Sequence, residues 1–458
     1  MWWTLWSVMQ PALAAPPGSY EVAREPVEFV AFGQGTINAT IHFPAVAKNG
    51  QPVPDLSGAP YRGAAFLHGY LGSAWMYNEA CDHLASMGMV VVNMDTETSI
   101  FLNVDTFAGD TIAAMDWVED QQSTNHWLAG MVAPGPWTGM GHSMGGATLG
   151  RILQLDDRFD TLVGFMPYQG DQDADYEAMA SFEGSALYLT GTNDQTATPD
   201  MVEDWFDAMA NTQRGLLLNV QDAGHQAVSG FEWGDDPMPD DQQRDVVLEL
   251  ASSFLAAEVF GQPLAYGPPW FAPSVDYARQ ASRSQEPAVI LEPTPDAAEL
   301  ALGVLTLPDA EVTVFAGPWP GKTEITEFGT LGLEAAFEVG RLTGDDGVVG
   351  GQLPADETLR ASWLQVAVTL PSGVWLSPPL DPFDVGLKPE PKPPEDEPPV
   401  TDTAEPAPEP KNEPEDAPPV VSEDPASCGG CQQGPMPWLG TVLLPVMMVR
   451  RSRRTASR

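Results

Sequence analysis

"WTGMGHSMGGATLG" (residues 137–150) holds a serine among small residues, and Gly141-His142-Ser143-Met144-Gly145 fits the pattern G-x-S-x-G. That pattern serves a sharp strand-to-helix turn on which a serine hydroxyl stands out as a nucleophile. The glycines let the backbone pack closely enough to make the turn. The same letters also describe a plain glycine-rich turn into a helix. Five residues do not separate the two readings, so the rest of the chain must.

Residues 20–262 alternate short apolar runs with helical patterns, which is the signature of an α/β fold: a mostly parallel sheet flanked by helices. The expected strands are "GAAFL" (63–67), "MVVVNM" (89–94), "TLVGFM" (161–166), "SALYLT" (185–190) and "GLLLNV" (215–220). Helices are expected at 74–87, 110–120, 200–210 and 242–260. The strand needed just before Ser143 reads poorly, because "APGPWTGM" (133–140) holds two prolines, which lack the N–H a ladder uses.

Histidine placement favours the nucleophile. His42, His68, His83, His126 and His142 precede Ser143, and only His225 follows it. Serine hydrolases built on such a sheet order their triad serine, acid, histidine. His225 follows an apolar run, in "NVQDAGHQAVSG" (219–230), and is the candidate general base. Asp194, in "ALYLTGTNDQTATPD" (186–200), is the candidate acid that orients the imidazole, with Asp171, Asp173 and Asp175 as alternatives. An oxyanion needs two backbone N–H groups. Met144 is expected to supply one, and Tyr70, in the loop His68-Gly69-Tyr70-Leu71-Gly72-Ser73, the other. His68 is expected to make a structural hydrogen bond there. Tyr70, Trp75 and Tyr168 are the candidate substrate-binding rim, although Trp75 also suits packing within its own helix. No metal site or organic cofactor is implied.

With these residues in hand a resemblance can be stated. "HGYLGSAWMYNEACDHLASMGMVVVNMDTET" (68–98), "GMGHSMGG" (139–146), "LTGTNDQTATP" (189–199) and "AGHQAVS" (223–229) resemble, in order and spacing, bacterial cutinase-like polyester hydrolases. They are also similar to the wider dienelactone-hydrolase and chlorophyllase-like group. The resemblance implies a lidless α/β-hydrolase fold and metal-free ester hydrolysis through an acyl-enzyme. His68 stands where the polyester enzymes usually carry proline and Tyr168 where they carry tryptophan, and "HQAVS" departs after the histidine. These differences bear on a polymer substrate rather than on the chemistry. Two rivals stay open: a serine peptidase on the same fold, and a catalytically inactive surface-binding adhesin.

Charge and ends complete the reading. With 20 basic and 64 acidic residues the net charge is −44, which excludes a nucleic-acid partner held through phosphates and disfavours anionic substrates. Residues 1–15 read as a signal peptide ending near Ala12-Leu13-Ala14. Residues 286–385 read as a small β-rich module without His or Cys, and 386–427 as a disordered, acidic, proline-rich stalk. In 428–458, Cys428 and Cys431 precede a short apolar run and an arginine cluster. This tail resembles the C-terminal sorting signals of surface proteins of myxobacteria, which implies the cell envelope as a partner. A disulfide between the two cysteines is the alternative. Cys81 reads as a buried structural thiol.

Overall fold

The structure, a computed structural model, describes residues 18–31, 33, 35–170, 172–229, 236–262, 278–293, 299–318, 320–354 and 356–380. The expected signal peptide (1–15), stalk (386–427) and tail (428–458) lie outside the described residues.

MVVVNM forms β5 (Met89–Met94), buried along its whole length as a parallel strand covered on both faces must be. Beside it run β4 (Tyr61–Leu67), β6 (Val132–His142), β7 (Phe159–Phe165), β8 (Ser185–Gly191) and β9 (Arg214–Val220), all parallel. On the β5 side the sheet continues antiparallel through β2 (Gly35–Lys48) to β1 (Glu21–Ala31), with the short β3 (Gln51–Pro54) paired to β2. β1 is a largely exposed edge strand whose polar residues and Pro26 hide it from an apolar-run search. The order β1-β2-β5-β4-β6-β7-β8-β9 places β4 between β5 and β6, so the chain reverses direction across the sheet there. Open sheets bind ligands at such a switch, at the carboxyl ends of the strands.

The doubtful strand exists. Its β4 ladder pairs Tyr61 with Val132 and next Gly63 with Trp137, so Pro134 and Pro136 fall in the irregular stretch between the two. They owe no ladder hydrogen bond, and Trp137–Gly141 carry the pairing.

Helices cover both faces. On one face α1 (Asn78–Ser86) and α6 (Asp240–Glu258) bury Ala80, Leu84, Leu250 and Phe254 against Phe66 and Phe165. On the other, α2 (Val104–Gln121), α3 (Met144–Leu153), α4 (Asp173–Ser181) and α5 (Pro199–Asp207) bury Phe107, Leu149, Met179 and Trp205. α2 starts six residues before its expected position because Asn103 caps it, its side chain accepting the Asp105 and Thr106 amides.

β10 (Ala278–Ser282) lies between the two expected domains and adds an antiparallel strand to the free edge of β9. Beyond it the described strands all pair antiparallel, with one short helix, Glu357–Arg360, before the last two of them. β11 (Ala288–Pro293), β12 (Glu299–Leu305) and β17 (Val348–Pro354) form one sheet. β13 (Glu311–Gly317), β16 (Phe337–Thr343), β18 (Trp363–Leu370) and β19 (Gly373–Leu376) form a second, and β14 (Pro320–Ile325) with β15 (Gly329–Leu333) a hairpin. Leu300, Leu302 and Val304 share an apolar cluster with Val312, Val314, Val366 and Val368. Ala288 and Leu305 instead join the cluster that α6 covers. Among the described residues no helix is long and apolar enough to cross a membrane.

Candidate active site

Ser143 sits between β6 and α3 with φ 52° and ψ −117°. For a non-glycine residue this is a strained backbone, costing about 1–3 kcal/mol, and it persists only where the surroundings enforce it. They do: the Ser143 amide donates to the Phe165 carbonyl at 3.1 Å, and its carbonyl accepts from Tyr168 at 2.8 Å and Ala147 at 3.1 Å. Gly145 is required at the turn, because a Cβ there would run into the Leu67 carbonyl. α3 begins at Met144, so its amide belongs to the unpaired first turn of a helix, where the dipole favours negative charge.

The loop after β9 carries His225 and the loop after β8 carries Asp194. Nε2 of His225 lies 2.8 Å from Oγ of Ser143, and its Nδ1 donates to Oδ2 of Asp194 at 2.7 Å. Asp194 is buried, and its other oxygen accepts the amides of Thr196 and Ala197 at 2.7 and 2.9 Å. A carboxylate so held has one orientation to offer the imidazole. The serine, histidine and aspartate singled out from the sequence are thus brought together. The alternatives are not: Asp173 opens α4, Asp175 is buried in an ion pair with Arg151, and Asp171 lies outside the described residues.

The loop after β4 packs against the serine turn so closely that a Cβ on Gly69 would stand 3.2 Å from Cβ of Ser143. Its path is fixed by the Gly72 amide donating to the Gly69 carbonyl, and by Ser73 and the Ala74 amide donating to Asp95 at the end of β5. His68 is buried, with Nε2 2.7 Å from the Thr96 carbonyl and Nδ1 2.8 Å from that of Gly69, a structural role as expected. Among the described residues the amides of Tyr70 and Met144 meet no backbone acceptor. Tyr70, Trp75 and Tyr168 are exposed. Trp75, in the short helical turn Ala74–Tyr77, leaves 60% of its surface exposed.

Other residues of the site carried no sequence signal. Ile100 and Phe101, in the loop before α2, are exposed, Phe101 at 86%, and the Tyr70 hydroxyl donates to the Ile100 carbonyl. Gln243 is buried and accepts the Gly224 amide at 2.9 Å, anchoring the loop that carries His225. Tyr77 and His142 lie buried beneath the serine turn. The Tyr70–Ile100 and Tyr77–His142 contacts span 30 and 65 residues, where no local spacing exists to read. Among the described residues no group of three His, Cys, Asp or Glu side chains is placed to hold a metal ion.

No curated protein matches the chain. Residues 8–232, which carry the parallel sheet together with Ser143, Asp194 and His225, match the model of the PETase family, described as PET hydrolase-like; over this segment the chain is similar to that family and has the α/β-hydrolase fold.

Proposed function

We propose that the protein is a serine ester hydrolase working through an acyl-enzyme, with Ser143 as nucleophile, His225 as general base and acid, and Asp194 as the group that orients it. The observation that carries this is the unbroken chain from Ser143 Oγ through His225 to Asp194, with contacts of 2.8 and 2.7 Å. In the first step Ser143 attacks the ester carbonyl while its proton passes to His225 Nε2. Asp194 stabilises the imidazolium that results. The carbonyl oxygen becomes an oxyanion and is met by the amides of Tyr70 and Met144. His225 then protonates the leaving alkoxide. Water, deprotonated by the same imidazole, releases the acid and restores Ser143.

Neutral esters that are short-chain, aromatic or polyester-like fit the site best. Tyr70, Trp75, Phe101 and Tyr168 offer exposed aromatic surface, the family match points the same way, and no long segment intervenes between β7 and β8 to form a lid. Ser143→Ala and His225→Ala are each expected to lower kcat/KM on p-nitrophenyl butyrate by roughly 10⁴ or more, since nucleophile and base act as one unit. Activity across p-nitrophenyl acetate to palmitate should peak at the short end. Near-normal turnover in folded His225→Ala, or a maximum at palmitate, would contradict the reading.

A further inference from the structure

The Gly69 amide donates to the Tyr77 hydroxyl oxygen at 3.0 Å. That oxygen lies 2.8 Å from Nδ1 of His142, and Nε2 of His142 lies 2.7 Å from the backbone carbonyl of His225. Tyr77 and His142 are each only 1% exposed. Counting donors fixes the direction of every proton. An amide can only donate and a carbonyl can only accept. His142 must therefore carry its proton on Nε2, or two lone pairs would face each other at the His225 carbonyl. Its bare Nδ1 takes the Tyr77 proton, and the Tyr77 oxygen takes the Gly69 proton. This arrangement satisfies every group.

We propose that Tyr77 and His142 are positioning residues of the hydrolysis: their one-way hydrogen-bond chain ties the loop after β4 to the loop after β9 beneath the serine turn. The proposal rests on the roles given above to Ser143, Asp194 and His225. Asp194 fixes the tilt of the His225 ring but not the height of its backbone. The tie from His142 to the His225 carbonyl sets that height, with Gln243 holding the preceding residue from the other side. At its far end the chain holds Gly69, next to Tyr70, whose amide is proposed to meet the oxyanion. The rings of His142 and His225 are 4.9 Å apart. Burial, and then the charge of His225, press the pKa of His142 down to about 3, so His142 stays neutral while His225 takes its proton.

The test uses the full chain and p-nitrophenyl butyrate. Tyr77→Phe removes one oxygen and keeps the ring packed on Phe66, 5.1 Å away between centroids. It is expected to lower kcat roughly 10- to 100-fold with KM changed less than about twofold, because the catalytic groups shift while the rim does not. His142→Gln, which offers both an N–H and an oxygen, should keep kcat within about fivefold, whereas His142→Leu should fall as far as Tyr77→Phe. The double variant Tyr77→Phe/His142→Leu should be no worse than His142→Leu alone, since a chain is cut only once. The proposal is overturned by a wild-type kcat in Tyr77→Phe, by a loss confined to KM, by equal losses in His142→Gln and His142→Leu, or by losses that multiply. Should Tyr77→Phe not fold, the two His142 variants decide. Ser143→Ala keeps the readings apart: full activity there overturns the triad, while an inactive Ser143→Ala beside a normal Tyr77→Phe overturns only this chain.

Discussion

His142 takes up a proton near pH 6.5 in an unfolded chain, but in the folded protein burial and the charge of His225 delay this to about 3. Between those values the unfolded state holds the extra proton, so stability falls as the pH drops, by about 1.4 kcal/mol per unit from this group. Asp110 acts in the opposite sense. Burial foremost raises its pKa from 3.8 to about 6, and among the described residues one of its oxygens is buried with no hydrogen-bond partner. Between 3.8 and 6 it is the folded state that holds the extra proton, so this contribution falls as the pH rises. Asp110→Asn is expected to raise the thermal midpoint more at pH 8, where the folded carboxyl must be charged, than at pH 5. Equal shifts at both would show that the carboxyl is not strained by its burial. At this scale the sequence exposed the catalytic candidates and hid their supports. Ser143, Asp194 and His225 are readable because triad order and the single late histidine leave few choices. Tyr77 and His142 stand 65 residues apart and meet only once the sheet is assembled.

Secondary structure divides the same way. β5, β7, β8 and β9 coincide with the apolar runs within two residues, because strands buried on both faces must be apolar throughout. β1 was not readable, since an edge strand facing solvent keeps no such run. The objection to β6 failed for a geometric reason, its prolines falling where the ladder is already irregular. β10 is not legible either, because five residues, "ARQAS", have no apolar pattern, and its pairing with β9 is a backbone ladder. It has consequences for truncation. A chain ending at residue 262 uncovers the β9 edge, whereas one ending at residue 286 keeps β10 in place. Both are expected to hydrolyse esters, the shorter with a lower thermal midpoint and a greater tendency to self-associate through the bare edge. Identical melting and elution of the two would show that β10 adds nothing.

For the whole molecule, the charge of −44 remains a property of its surface and its surroundings and says nothing of the fold. We propose export through residues 1–15 and tethering at the cell surface through 428–458, with 386–427 as the stalk. Cells making a form ended at residue 426 should release it into the medium, while the full chain stays with the cell fraction. Equal release of both would rule out an anchor. The C-terminal strands join the parallel sheet at its β9 edge. Because β10 runs antiparallel to β9, Ser282 pairs with Leu216, at the opposite end of the sheet from the loops bearing Ser143, Asp194 and His225. The junction there is held by Arg214, which reaches Glu258 and the Glu286 carbonyl, and by the Arg283 amide on the Gly215 carbonyl. Loops around the mouth can therefore lengthen, shorten or change composition without disturbing the seam, and the appended strands can be remodelled without touching the mouth. Under the proposed function, substrate preference at the mouth and whatever the C-terminal strands do are free to drift independently of each other.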